Sequence, residues 1–288
     1  MRRSACARAI PWATVALVVV ALSGGCRAAA SRATDPTVPA EASAPKVATG
    51  SPVDSGAGPD RTEPALFGSA GGVKLIETTT GGAASIDRTP LIVALHPQGG
   101  DPAEFLSFFR AFAGRARLVL PYADPGNGAF SWYIGDSTDP GAPGPRKASA
   151  RIAAFLTRFV ESHPVAGNPI VIGYSQGAIV AMSLVASEAP RIGHILSIAG
   201  RLPPALFAGL AHSAPGPIVD EFHGELDVAV PYAAARASVH ALNVAGYAAR
   251  LHTYAGVGHE IAVDEAADVL GALSDAVRSE SASGLRDE

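Results

Sequence analysis

Between residues 91 and 278, short apolar runs alternate with longer segments of helical periodicity. No other feature restricts the possible folds as much. Leu91–Leu95 (LIVAL) has no polar position, so as a strand it must be covered on both faces. Further strands are expected at residues 73–79, 117–120, 169–172, 194–198, 217–222 and 247–254. Between them lie helical signals. Asp101 is placed to N-cap a helix with Pro102 at N1 and Glu104 at N3. Phe105, Phe108, Phe109 and Phe112 then follow as one apolar stripe. Ile152, Phe155, Leu156, Phe159 and Val160 mark a second amphipathic helix, and residues 177–187, 232–243 and 262–278 give three more. Strands alternating with helices predict an α/β fold: a mostly parallel central sheet flanked by helices on both faces. Residues 135–145 are too few for a large lid domain. Ligands in such sheets bind at the carboxyl ends of the strands.

Composition narrows the function. Hydrophobic residues make up 48% of the 288-residue chain and charged ones 17%, as in a packed globular protein. The net charge is −4 and no block of like charge stands out, so nucleic acid is not an expected partner. Cys6 and Cys26 are the only cysteines, which excludes disulfides, Cys-zinc sites and a cysteine nucleophile from everything beyond residue 26.

The N-terminus carries a compartment signal. Arg2, Arg3 and Arg8 precede an apolar run at residues 12–22 and the small residues Ser23, Gly24 and Gly25. This is the layout of a secretory signal peptide over residues 1–26, and the run is shorter than the ~20 residues that span a bilayer. The segment ending at Cys26 resembles a bacterial lipobox, although Leu22 stands four places before the cysteine rather than three. An exported protein is expected, either lipid-anchored at Cys26 in the bacterial cell envelope or free in the periplasm or outside the cell. Residues 27–65 are rich in Ala, Ser, Thr, Pro and Gly and read as a disordered linker. The folded domain is then residues 66–288.

Gly173-Tyr174-Ser175-Gln176-Gly177 follows an apolar strand and opens a helix of small residues. G-x-S-x-G in that context is a nucleophile elbow: the serine occupies a strained turn, and glycines two before and two after let strand and helix nearly touch. Ser175 is the expected nucleophile, and the Gln176 N–H points at the developing oxyanion. The acid and then the base should follow in the chain. His259 lies in a glycine-rich loop between the last strand and the last helix, where its imidazole can reach the serine. His194 and His252 fall in strands, His240 on a helix and His212 among small residues. For the acid, the segment 223–231 offers Asp227, with Glu225 as runner-up. Asp220 should be buried or paired within its strand, Asp264 should cap the last helix, and His223 should shape the loop. The second oxyanion donor should come from the loop after residue 95. Pro97 has no N–H, so Gln98 is first choice and Gly99 second, with His96 supporting the loop.

These residues carry a family resemblance. The chain from about residue 91 to 278 resembles the phospholipase/carboxylesterase family of α/β-hydrolases, which includes the acyl-protein thioesterases. Residues 173–178 (GYSQGA) are similar to the family's G-F-S-Q-G-G, and residues 223–231 (HGELDVAVP) to its H-G-x-x-D-x-x-V-P. Gly258-His259 fits its histidine loop, and Ser131-Trp132-Tyr133 its S-W-[FY] segment near the acyl pocket. The resemblance implies a Ser175–Asp227–His259 triad, a hole formed by the Gln98 and Gln176 N–H groups, and substrate contacts from Trp132 and Tyr133, although a core position for Trp132 stays open. Two departures stand out: Pro97 replaces a glycine, and Ile134 stands where an aspartate is expected. The expected activity is hydrolysis of carboxylic esters with small or medium groups, without cofactor or metal. The expected partner is a small-molecule ester, and membrane contact is expected only through the lipid anchor. Thioesterase, depolymerase or feruloyl esterase preferences stay open. An envelope serine peptidase and a non-catalytic hydrolase-like binding lipoprotein are the alternatives.

Overall fold

The computed structural model describes residues 66–70, 73–125, 130–135, 138, 140–187, 191–210 and 216–284. The expected signal peptide, linker and Cys26 lie outside these residues.

One eight-stranded sheet organises the domain. Its strands are β1 (Leu66–Ala70), β2 (Val73–Thr80), β3 (Leu91–Leu95), β4 (Ala116–Pro121), β7 (Ile170–Tyr174), β8 (His194–Ile198), β9 (Ile218–Gly224) and β10 (Ala249–Tyr254). A small ribbon of β5 (Asp124–Pro125) and β6 (Phe130–Ser131) stands apart. The strand order is β1-β2-β4-β3-β7-β8-β9-β10. Pairing is antiparallel from β1 to β4 and parallel from there on. This is the fold of the α/β hydrolases.

The continuous apolar runs still divide by a period of two. Leu91, Val93 and Leu95 join a core on one face, with Ile152, Phe155 and Phe159 of α2 (Pro143–Ser162) and Val180 and Met182 of α3 (Gln176–Ser183). Ile92 and Ala94 face the other core, with Val269 and Leu273 of α5 (Val263–Gly284). The same core holds Phe105, Phe108, Phe109 and Phe112. The fourth of the longer helices, α4 (Tyr232–Val244), adds Leu242 to the first core. Each fully buried side chain of this size contributes on the order of 2 kcal/mol.

Local detail departs from the sequence reading in several places. Asp101 caps α1 (Pro102–Leu106) by accepting the Ala103 N–H at 2.8 Å, but the α-helix lasts one turn before a 3₁₀ segment, Ser107–Ala111, carries the phenylalanines on. Helix α2 starts at Pro143, well before its large apolar residues, so β6 and α2 are joined only by residues 132–142. The expected helix at 177–187 is α at 176–183 and 3₁₀ at 184–186. Strand β9 continues through His223 and Gly224, where the sequence predicts a loop, because β10 pairs with it up to Tyr254 opposite Gly224. Asp220 is buried and accepts from His252 Nε2 at 2.8 Å, which gives both residues the structural role expected of them.

Candidate active site

The carboxyl ends of β3, β7, β9 and β10 converge on one place. At the end of β7 the chain turns through Ser175, whose φ of 54° and ψ of −117° are costly for a residue with a Cβ. Its N–H is held by the Ile198 carbonyl at 2.9 Å, and its own carbonyl receives the Ile179 N–H at 3.0 Å. Two glycines make the turn possible. A Cβ on Gly173 would lie 2.5 Å from the Gly177 carbonyl oxygen, and one on Gly177 only 2.1 Å from that of Leu95. Strand β7, helix α3 and strand β3 therefore touch backbone to backbone, and the serine projects from the contact.

His259 reaches Ser175 from the loop after β10. Its Nε2 lies 2.8 Å from Ser175 Oγ, and its Nδ1 lies 2.7 Å from Asp227 Oδ2. A proton on Nδ1 donated to the carboxylate leaves Nε2 as acceptor for the serine hydroxyl. Asp227 is buried, and its other oxygen accepts the N–H groups of Ala229 and Val230, both at 2.9 Å. Burial alone would push its carboxyl up. The His259 hydrogen bond, the Val230 N–H and the neighbouring histidines more than offset this and hold it below the ordinary aspartate value. Tyr174 donates its hydroxyl to the His259 carbonyl at 3.0 Å and stacks on the imidazole. The acid loop is tied to the histidine loop by Glu225 N–H to Tyr254 O, 3.0 Å, and Leu226 N–H to Val257 O, 2.8 Å. Glu225, the runner-up, is exposed, and the carboxylate bonded to His259 is that of Asp227.

On the opposite side lies the loop after β3. The Gly99 N–H is bonded to the Phe130 carbonyl at 2.8 Å, so the second-choice oxyanion donor already has a partner. Gln98, the first choice, is exposed in this loop. His96 supports the loop from beneath. It is fully buried, its Nδ1–H donates to the Pro97 carbonyl at 2.8 Å, and its Nε2 accepts the Ala123 N–H at 3.2 Å. Burial holds its pKa below the ordinary histidine value, consistent with this neutral form.

Trp132 and Tyr133 lie beside this loop. Trp132 is buried, packs on the His96 ring and donates its indole N–H to the His96 carbonyl at 2.8 Å. That is the core position left open by the sequence, within the cluster that holds Leu95 and Phe155. Tyr133 is half-buried, and its ring covers Gly144, where a Cβ would meet it at 2.9 Å.

The Gln176 side chain is the residue that sequence reasoning missed. Its Oε1 accepts the Trp132 N–H at 2.8 Å and the Ser131 hydroxyl at 3.2 Å, and its Nε2 donates to the Tyr133 carbonyl at 3.0 Å. One amide thus reads three consecutive residues of another segment, while its own backbone N–H stands at the start of α3. Among the described residues no group of three or more acidic, histidine or cysteine side chains is arranged to hold a metal ion.

A sequence profile of the phospholipase/carboxylesterase family matches residues 119–276, more than half of the chain. The chain belongs to the phospholipase/carboxylesterase family. It is thus an α/β hydrolase of the esterase and thioesterase type. Among solved structures, esterase PE8 is similar at 26% identity and a TM-score of 0.59, over 68% of this chain and 98% of that one. Acyl-protein thioesterase 2 of Zea mays shares 19% identity at a TM-score of 0.58, over 70% and 98% of the two chains. A phospholipase/carboxylesterase of Dyadobacter fermentans shares 22% identity at a TM-score of 0.57, over 68% and 94%. At these identities the last two speak for the fold alone. No curated protein sequence matches the chain.

Proposed function

We propose that this family member is a serine esterase that cleaves carboxylic esters of small or medium acyl and alcohol groups. The observation that carries the proposal is the unbroken relay from Ser175 Oγ through His259 to Asp227, at 2.8 and 2.7 Å. Ser175 Oγ attacks the ester carbonyl as its proton passes to His259 Nε2, and the Gln98 and Gln176 N–H groups receive the oxyanion. The C–O bond to the alcohol then breaks, and the alcohol leaves with the proton from His259. Water, deprotonated by the same nitrogen, attacks the acyl-serine and releases the acid. Asp227 holds the imidazole in the required tautomer and stabilises it when charged. The short link between β6 and α2 supports a cleft open to solvent, walled in part by Tyr133.

The basic start, apolar run and Cys26 of the sequence support export and attachment to the envelope by a lipid on that cysteine. Replacing Cys26 by Ser should then release the protein from the membrane fraction.

Turnover of a chain-length series of p-nitrophenyl esters, measured beside Ser175→Ala, tests the activity. Hydrolysis that disappears in the variant is the expected result. Equal hydrolysis by both proteins, or none by the folded wild type on any ester, would refute the reading.

A further inference from the structure

Beneath Asp227 lies a second buried histidine that the ester-cleaving steps do not use. His223, near the end of β9, is wholly buried. Its Nδ1 lies 2.6 Å from Glu221 Oε1 and its Nε2 lies 2.8 Å from the Val230 carbonyl. The same Nε2 is 3.4 Å from Asp227 Oδ2, the oxygen that binds His259. Nε2 therefore faces a carbonyl oxygen, which can only accept, and Nδ1 faces a carboxyl oxygen, which accepts when ionised. A carbonyl oxygen has no proton to give, so Nε2 must carry one. Burial pushes the Glu221 carboxyl up, and against it the His223 ring and the Gly200 N–H, 2.9 Å from Oε1, favour the carboxylate and with it the second ring proton on Nδ1.

We infer that His223 is an imidazolium, held charged by Glu221, that fixes the Asp227 turn and sets the ionisation of the Asp227–His259 couple. It is a positioning residue acting through Asp227 and the Val230 carbonyl. The inference rests on the serine-esterase reading only for its kinetic consequence.

Several groups face this pair. Besides Glu221 on its own strand, His223 has Asp227 in the acid loop, His259 beyond it, the Tyr232 ring on α4 at 6.1 Å, and the buried Glu265 of α5. Three buried carboxyl groups thus surround one central histidine. Glu221 Oε2 makes no hydrogen bond among the described residues, so its charge is balanced chiefly by the imidazole. Burial works against the charged form of His223, but the hydrogen bond and charge of Glu221 outweigh it and raise the histidine on balance. The result is a positive charge beside the buried Asp227 carboxylate. Without it, Asp227 would gain a proton more easily, and its carboxylate would draw a proton more strongly onto His259. Both changes push the active protonation state to higher pH.

Two measurements on the full-length protein test this. In ¹⁵N-histidine NMR of the wild type, both His223 ring nitrogens should stay protonated through the range around pH 6.5 in which a free imidazole loses a proton. Glu221→Gln keeps an acceptor at that point but removes the charge, and His223 should then lose a proton within the range. A His223 that is singly protonated throughout, or that titrates alike in the two proteins, would overturn the inference. In kinetics, the acid limb of kcat/KM in His223→Gln should move up by about one pH unit. A folded variant with a lowered rate but an unmoved limb would show a merely structural histidine, and so would an unchanged profile. The NMR result does not depend on turnover. Wild type that hydrolyses no ester would therefore refute the esterase reading while leaving the His223 charge independently decided.

Discussion

Gln176 and Trp132, forty-four positions apart, are joined by a 2.8 Å hydrogen bond from the buried Trp132 N–H to the Gln176 side-chain oxygen. The bond couples the residue after the serine to the segment 131–133. Because the same amide also binds Ser131 and Tyr133, this segment cannot shift without disturbing the start of α3. Gln176→Leu removes the side-chain bonds but keeps the backbone N–H proposed for the oxyanion hole. It leaves a buried donor unpaired, which costs about 1–3 kcal/mol. Urea unfolding should show that loss, and ester kinetics should show KM rising more than kcat falls. Unchanged stability together with unchanged KM would contradict the clamp.

Strain at the serine gives a second prediction. At φ 54° and ψ −117°, any side chain costs energy that glycine avoids. Ser175→Gly and Ser175→Ala should both lose about 10³-fold or more in kcat. The glycine variant should nonetheless be the more stable of the two, by about 1 kcal/mol in denaturant titration. An alanine variant of equal or greater stability would show that the turn is not strained.

Gly177 leaves no room for a methyl group against the Leu95 carbonyl. Because the obstructing atom is backbone, neither α3 nor β3 can yield by rotating a side chain. Gly177→Ala should be destabilised by about 3 kcal/mol or more, or fail to fold, as read from the urea midpoint or from soluble yield. A near-normal midpoint would mean that helix and strand can separate more easily than the contact implies.

Glu265 gives a pH prediction. Burial pushes its carboxyl up to about 7, although the Ala262 N–H donates to it at 3.2 Å. A folded-state value above the unfolded one means that the native state binds this proton more tightly. The stabilisation is complete below the unfolded value of about 4.3 and is lost as pH rises through about 7. Glu265→Gln keeps the acceptor for Ala262 and has no proton to lose. Relative to wild type, it should gain about 1–3 kcal/mol at pH 8 and little at pH 4. Equal differences at both pH values would contradict the assignment.

Much of this was legible in the sequence, and the exceptions have physical causes. Apolar runs such as 91–95 and the phenylalanine stripe declare their elements because burial itself sets the pattern. Strand β1 (LFGSA) was not assigned because its small residues carry little hydrophobic signal and its partner, β2, supplies the pairing. The early start of α2 was hidden in the same way, by Pro143, Gly144, Pro145 and Ala148 ahead of its large residues. His223 was read as part of a loop because Gly224 follows it, whereas the pairing with β10 continues through both. Spacing and context singled out Ser175, Asp227 and His259, and the fold brings them within hydrogen-bond reach. The Gln176 clamp and the Glu221–His223 pair gave no such signal, since each depends on which atoms the tertiary fold sets face to face.

Every step of the proposed mechanism depends on Ser175 being a nucleophile that His259 activates, which intact-protein mass spectrometry can read. After exposure to a fluorophosphonate, the protein should carry one covalent adduct, mapped to Ser175, absent in Ser175→Ala and much slower to form in His259→Ala. Absence of any adduct on folded wild type, or an adduct on another residue that persists in Ser175→Ala, would contradict it.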